Sequence, residues 1–261
     1  MKLAAVGDNC MDIYDDTGMA YPGGNPVNVA VYFARLGGEA SYTGVVGTDK
    51  YGPMMKECIA KKGVDVSTVV EREGATPTTH VRIVNGDRIF GAYDEGVMAG
   101  YRLTEEQRAY LRAQDLLVSG PWGGVHDDLL DLKSSGALVA FDASTEPDGK
   151  VARAALPATD YLFFSYSGED SPALRQKMRE LHAKGPKVVN ATMGARGSLC
   201  FDGNEFTSCG IVPCEVVDTL GAGDSYIAGF LKGVSDGLPI AECMKMGAQC
   251  ASVTIGYSGA W

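Results

Sequence analysis

Residues 23–47 read GGNPVNVAVYFARLGGEASYTGVVG, and the fold depends on how that run divides. Asn25 is a good helix N-cap, and Pro26 is favoured at the first helical position. Val27, Ala30, Val31 and Ala34 follow at helical spacing, and Gly37-Gly38 ends the helix. SYTGVVG then reads as a strand. Ahead of the run, LAAVGD is short, apolar and followed by a polar turn, which suits a buried strand leading to a functional loop. Further along, YGPMMKECIAKKG reads as another helix. DLLVSG, ALVAFD, DYLFFS and KVVNATMG are strand candidates, separated by helical stretches around 126–135 and 171–184. Strands alternating with helices imply an α/β fold, a mostly parallel sheet covered on both faces.

The pattern changes between about residues 68 and 95. THVRIVNGDRIFGAY places β-branched and aromatic residues on either side of Asn85-Gly86, a two-residue signal for a type I′ hairpin. This insert reads as a small antiparallel lid, joined by strand residues near 12–22, on one domain spanning 1–261. No linker, repeat or low-complexity segment interrupts it.

An apolar fraction of 45% with 21% charged residues is ordinary for a globular protein and argues against disorder. The formal charge of −10 disfavours a nucleic-acid groove or an anionic membrane surface as partner. It leaves room for an anionic ligand, because backbone N–H groups hold phosphate without net positive charge. The opening residues MKLAAVGD enter the first strand with no apolar stretch of signal-peptide or membrane-span length, so a cytoplasmic location is expected. Seven cysteines, scattered and never in a C-x-x-C pair, are expected as reduced thiols. Neither they nor the three histidines have the spacing of a zinc site.

Residues 218–230, DTLGAGDSYIAGF, carry the chemistry. Ile227, Phe230, Leu231 and Val234 recur at helical spacing, so a helix begins near residue 223. Its first N–H groups lack intrahelical partners, and glycines at 221 and 223 remove the side chains that would block close approach. Gly221, Ala222 and Gly223 thus form a potential anion hole, reinforced by the helix dipole. Asp224, in the same turn, can accept a proton from a hydroxyl. A carboxylate base beside an anion hole suits phosphoryl transfer to an alcohol. The plainer alternative is a glycine turn with a helix-stabilising aspartate, worth about 0.3–1 kcal/mol. The stretch is neither a Walker A loop nor the dinucleotide fingerprint, since after Gly223 the next glycine is Gly229.

Three further stretches add a resemblance. GGNPVNVAVYFARLG with GVVGTDKYG resembles the N-terminal signature of the ribokinase-like (PfkB) carbohydrate kinases. DTLGAGDSYIAGF resembles that family's D-T-x-G-A-G-D signature, and TMGARG (192–197) its T-L-G-x-x-G turn at the nucleotide phosphates. The resemblance implies an α/β sandwich with a β lid over the sugar, ATP as phosphoryl donor, and Asp224 as the base. Asp12, Gly23, Gly24 and Asn28 match positions that hold sugar hydroxyls, while Thr192, Gly194 and Gly197 match positions near the ATP phosphates. Asp218 matches a position associated in some members with a monovalent cation, which makes K⁺ an expectation. The family's N-x-x-E, which organises Mg²⁺, corresponds to YSGE (166–169): Glu169 is present, but Tyr166 replaces the asparagine. A homodimer through the lid is a further expectation.

Within the family, likeness to members that phosphorylate the 6-hydroxyl of fructoselysine, an Amadori product, runs from GDNCMDIY through DRIFGAYDEGVMAGY to YSGAW. Asp87, Arg88, Asp94 and Glu95 then offer partners for the substrate's ammonium and carboxylate groups, or else form a solvated surface. Tyr93 and Tyr101 either pack on the sugar or serve cross-strand packing. Other sugars stay open: another fructosyl amino acid, fructose, or 2-keto-3-deoxygluconate. So does a sugar- or nucleotide-binding sensor without turnover.

Overall fold

Leu3, Ala4, Ala5 and Val6 are all buried, because the strand they form is covered on both faces. The computed structural model describes residues 1–84, 87–257 and 259–261, with 83–84 and 87–90 described by backbone alone. In chain order the first half forms β1 (Lys2–Val6), β2 (Cys10–Tyr14), β3 (Ala20–Gly23), α1 (Asn25–Arg35), β4 (Glu39–Thr43), β5 (Val45–Gly47), α2 (Tyr51–Lys61), β6 (Val70–Arg72), β7 (Thr78–Val84) and β8 (Asp87–Asp94). Then come α3 (Glu105–Arg112), β9 (Leu116–Ser119), α4 (Leu129–Lys133), β10 (Leu138–Asp142), α5 (Lys150–Ala155), β11 (Tyr161–Ser165), α6 (Pro172–His182) and β12 (Val188–Thr192). The chain closes with β13 (Ser198–Phe201), β14 (Phe206–Cys209), α7 (Ala222–Ser235) and α8 (Ile240–Ile255).

The main sheet has eight strands in the order β14-β13-β12-β11-β10-β9-β1-β4. Neighbours pair parallel from β4 to β12, while β13 and β14 add an antiparallel edge. Successive side chains of a strand point to opposite faces, and the core divides accordingly. Ala4, Val6, Leu117, Val139 and Phe141 pack with Leu111, Leu129, Ala152 and Leu174 of α3 to α6. Leu3, Ala5, Leu116, Val118 and Ala140 pack on the other side with Val27, Met55, Phe230 and Met244 of α1, α2, α7 and α8. Two-sided burial is why the strand segments read as continuous apolar runs.

A second sheet of four strands, β3-β2-β7-β8, combines residues 10–23 with residues 78–94. β2 pairs antiparallel with β3 and parallel with β7, and β7 pairs antiparallel with β8. β6 stays apart and pairs parallel with β5. The expected Asn85-Gly86 turn lies outside the described residues. Among the described residues no helix is long and apolar enough to cross a membrane.

The start of α1 differs from its sequence reading. Gly24, with φ 112°, occupies the cap position; Asn25 is the first helical residue and makes no capping bond. A cap must accept a hydrogen bond. The Asn25 amide instead donates, to two carboxylates from other parts of the chain.

Candidate active site

The turn ahead of α7 is built so that its N–H groups stay available. Gly221 adopts the left-handed conformation at φ 73°, which a side chain would strain, and a Cβ there would stand 3.2 Å from the Ala260 carbonyl. Asp218 braces the turn, accepting from the Leu220 N–H at 3.0 Å and the Gly259 N–H at 2.8 Å. The Ala222 N–H is shared with the Thr219 carbonyl at 3.3 Å, so the donors of Gly223 and Asp224 are the ones left without an intrahelical carbonyl. Gly223 is exposed, and open space lies where its Cβ would be. An approaching anion therefore meets backbone donors at the positive end of the helix dipole.

Asp224 is held between two asparagines from the other end of the chain. Asn25 Nδ2 donates to its Oδ1 at 2.6 Å, and Asn28 Nδ2 to its Oδ2 at 2.7 Å. Asn25 and Asn28 lie three residues apart at the start of α1, which packs along α7, so both reach the same carboxylate. Asn28 is oriented in turn by Trp261, whose Nε1 donates to Asn28 Oδ1 at 2.7 Å. With that acceptor occupied, the amide must present its NH₂ to Asp224. Trp261→Phe removes the bond while keeping most of the ring. One hydrogen bond is worth about 0.5–1.5 kcal/mol, so kcat/KM of a reaction that uses Asp224 is expected to fall about 3–10-fold. Steady-state kinetics check this, and an unchanged value would show that Asp224 alone orients Asn28.

Two carboxylates that the sequence did not single out complete the cluster. Asn25 Nδ2 also donates to Asp142 Oδ2 at 2.8 Å, bridging Asp142 and Asp224. Asp142 ends β10, and its Oδ1 accepts from the Ser144 N–H at 2.8 Å. Ser144 sits at φ 52°, a strained conformation for a non-glycine residue. Asp8 follows β1 and is 6% exposed. Burial pushes the Asp224 carboxyl up to about 6, against the pull of the two asparagine donors. Burial, with the added repulsion of Asp224, pushes Asp8 and Asp142 each up to about 7.

Asp12 lies in β2, 7% exposed, and accepts a weak bond from the Cys10 thiol at 3.4 Å. A Cβ on Gly23 would stand 2.9 Å from Asp12 Oδ2, and one on Gly24 2.7 Å from the Asn9 Cα. The Gly-Gly pair thus lets the carboxylate and the loop after β1 close against the start of α1. Glu95 is exposed just beyond β8, and Asp94 accepts from the Gly96 N–H at 2.9 Å. The side chains of Asp87 and Arg88 lie outside the described residues. Tyr93 is 42% exposed on β8, whereas Tyr101 is buried in the core and donates to Gln107 Oε1 at 2.6 Å.

A cavity of about 790 Å³ adjoins the turn, lined by Thr192, Gly194, Gly197, Thr219, Ala222 and Gly223 among others. None of Asp8, Asp12, Asn25 or Asn28 lines it, so the carboxylate cluster lies outside this cavity, on the other side of the start of α7 from Gly223. At Gly197 (φ 83°) a Cβ would strike the Cys209 carbonyl at 2.1 Å, while Gly194 opens on free space. Tyr166 lines the cavity; Glu169 is exposed in the loop after β11 and does not. Arg196 braces that loop through the Gly168 carbonyl at 2.8 Å and the Ser167 carbonyl.

Comparison with known proteins places this geometry. A fructoselysine 6-kinase of Shigella flexneri is 43% identical over 259 residues, covering 99% of both chains. A fructosamine kinase of Bacillus subtilis is 34% identical, over 100% of this chain and 93% of that one. Among solved structures, an Arabidopsis thaliana ribokinase complexed with ribose and ATP superposes with a TM-score of 0.89 at 22% identity, covering 99% of this chain and 93% of the other. The model of the pfkB family of carbohydrate kinases matches residues 8–261, and the chain belongs to that family.

Proposed function

We propose that the protein transfers the γ-phosphoryl group of ATP to the 6-hydroxyl of fructoselysine, giving fructoselysine 6-phosphate and ADP, in the cytoplasm. The observation that carries this reading is the Asp224 carboxylate, fixed by two asparagine amides beside the unpaired N–H groups of α7. The fructoselysine and fructosamine kinases among its relatives support the choice of sugar. The nucleotide occupies the cavity, with its phosphates toward Thr192, Gly194 and Gly223. The sugar lies between Asp12, Asn28 and the cluster at Asp224, under the β2-β3-β7-β8 sheet as lid. Each Asp224 oxygen accepts one amide proton and keeps a lone pair for the sugar hydroxyl. Asp224 takes the hydroxyl proton as the oxygen attacks phosphorus, and the Gly223 and Asp224 N–H groups stabilise the charge on the transferring group.

Mg²⁺ supplies further neutralisation of the phosphates. Among the described residues no group of three or more His, Cys, Asp or Glu is placed to hold a metal; Glu169, exposed in the loop after β11, would be the residue to hold the waters of an ion that enters with the phosphates. Asp218, which braces the turn through the Leu220 and Gly259 N–H groups, is the residue proposed to bind a monovalent cation. A homodimer through the lid would use its edge strands β3 and β8, which carry the exposed Tyr21 and Tyr93.

ADP release with Mg²⁺, measured across fructoselysine, other fructosyl amino acids, fructose, ribose, adenosine and 2-keto-3-deoxygluconate, tests the reading. Fructoselysine is expected to give the highest kcat/KM. Comparable turnover of plain fructose would remove the amino-acid half of it, and silence on every sugar would leave a binding protein.

A pH profile follows from the Asp224 environment. The base works ionised, and burial raises its carboxyl to about 6. The acid limb of kcat/KM for plain fructose is therefore expected to bend near pH 6 and to fall about tenfold per unit below it. An inflection near pH 4, where an ordinary carboxylate titrates, would contradict this environment.

A further inference from the structure

The cluster around Asp224 holds more carboxyl groups than phosphoryl transfer to a neutral sugar requires. Asp8, Asp142 and Asp224 stand together, and Asp142 and Asp224 share a single amide nitrogen. The strongest influences on them are burial, one another, asparagine amides and backbone N–H groups, with no lysine or arginine among them. Among the described residues no ion pair reaches any of the three. Two acceptors in the cluster are buried without a partner: Oδ1 of Asp8, whose residue is 6% exposed, and Oδ1 of Asn25, whose residue is 9% exposed. Gly120, in the loop after β9, packs so closely on Asn25 Oδ1 that a Cβ would stand 2.7 Å from it, and it offers that oxygen no donor from a side chain. Buried acceptors and buried charge of one sign are costly unless something answers them.

We propose that Asp8 and Asp142 are the residues that read the substrate's amine: they bind the secondary ammonium on C1 of a fructosylamine next to the base. This rests on the reading of the protein as a fructosyl-amino-acid kinase and adds where the amine is recognised. In the furanose form C2 and C5 both flank the ring oxygen, so the nitrogen on C1 and the hydroxyl on C6 leave the same edge of the ring. A hydroxyl placed at Asp224 thereby brings the nitrogen within reach of the neighbouring carboxylates. A secondary ammonium offers one positive charge and two N–H donors, which suits carboxylates with no cation beside them: Asp8 Oδ1 has no hydrogen-bond partner, and each Asp142 oxygen keeps a lone pair beside the one bond it accepts. Plain fructose places a neutral hydroxyl there and leaves the negative cluster unanswered. Recognition of the amine then sits at the ends of β1 and β10.

The test compares two substrates that differ in one atom, 1-butylamino-1-deoxyfructose and 1-O-butylfructose, as kcat/KM ratios. The wild type is expected to favour the amine by about 10²-fold, the scale of a desolvated charge-assisted pair. Asp8→Asn and Asp142→Asn are each expected to bring the ratio to within about threefold. ATP affinity and thermal midpoint, measured for each variant, show that it is folded, and two variants guard against the failure of one. A wild type that prefers the amine, with both variants retaining that preference, overturns the proposal and leaves the kinase reading standing. Equal turnover of amine and ether by the wild type also overturns it. A wild type that phosphorylates neither compound overturns the fructosylamine reading and this proposal together.

Discussion

Asp224→Asn is expected to lower kcat by about 10²–10⁴-fold, the usual contribution of a positioned general base, while ATP and sugar still bind. The replacement is nearly isosteric and keeps the α7 N-terminus, so the Gly223 and Asp224 N–H groups remain in place. It removes the proton acceptor and sets an amide NH₂ against one of the two donors from Asn25 and Asn28. Those donors then lose one good acceptor, and some of the effect will be positional. Asp224→Ala separates the two contributions, because it removes the base without the donor-to-donor conflict. Single-turnover phosphorylation with both substrates saturating, alongside nucleotide titration, measures the chemical step directly. Turnover unchanged in both variants would show that the hydroxyl loses its proton elsewhere.

Gly24→Ala is expected to damage both stability and catalysis. The residue sits at φ 112°, and a Cβ there would lie 2.7 Å from the Asn9 Cα and 3.0 Å from the Asp8 carbonyl. Both neighbours are backbone and cannot swing aside as a side-chain tip would. Strain and overpacking of this kind cost about 2–5 kcal/mol together, a thermal midpoint lower by roughly 5–15 °C in a domain of this size. The chain would relieve the clash by moving the Asp8-Asn9 loop off α1, and that displaces the carboxylate cluster. A shift of about 1 Å at a catalytic group can cost 10²-fold in rate. Gly63→Ala is the control: its φ is 84°, with nothing within 4 Å of a Cβ, so it carries the dihedral cost alone. Equal midpoints for the two variants would show that the close approach at Gly24 contributes little.

The parts of the fold legible in the sequence are those with a local signal. The strands of the main sheet are continuous apolar runs because both their faces are covered, and α1 and α7 announce themselves by periodicity. α3 has a reciprocal capping box of Thr104 and Gln107 but no apolar pattern to announce it, because it buries only Gln107 and Leu111. The antiparallel edge of β13 and β14 was missed for a similar reason, being two short strands after a glycine turn. At the site, Asp224 was legible because glycines, aspartate and helix stand in one stretch. Asn25 was misread as a cap, since local rules describe what an asparagine does at a helix start and not what a carboxylate 199 residues away asks of it. Asp8 and Asp142 look in sequence like ordinary polar residues at strand ends, and only the order of strands brings them to one place.

That strand order also suggests how such an enzyme could be re-engineered. Asp8, Gly120 and Asp142 leave adjacent strands of the sheet at their carboxyl ends, the side on which open α/β sheets bind ligands. None of them is needed to fill either hydrophobic layer. On the proposed function, exchanging the segments after β1, β9 and β10 between relatives as a set is expected to change which group on the sugar is accepted, while the glycine turn ahead of α7 and the packed interior pass unchanged.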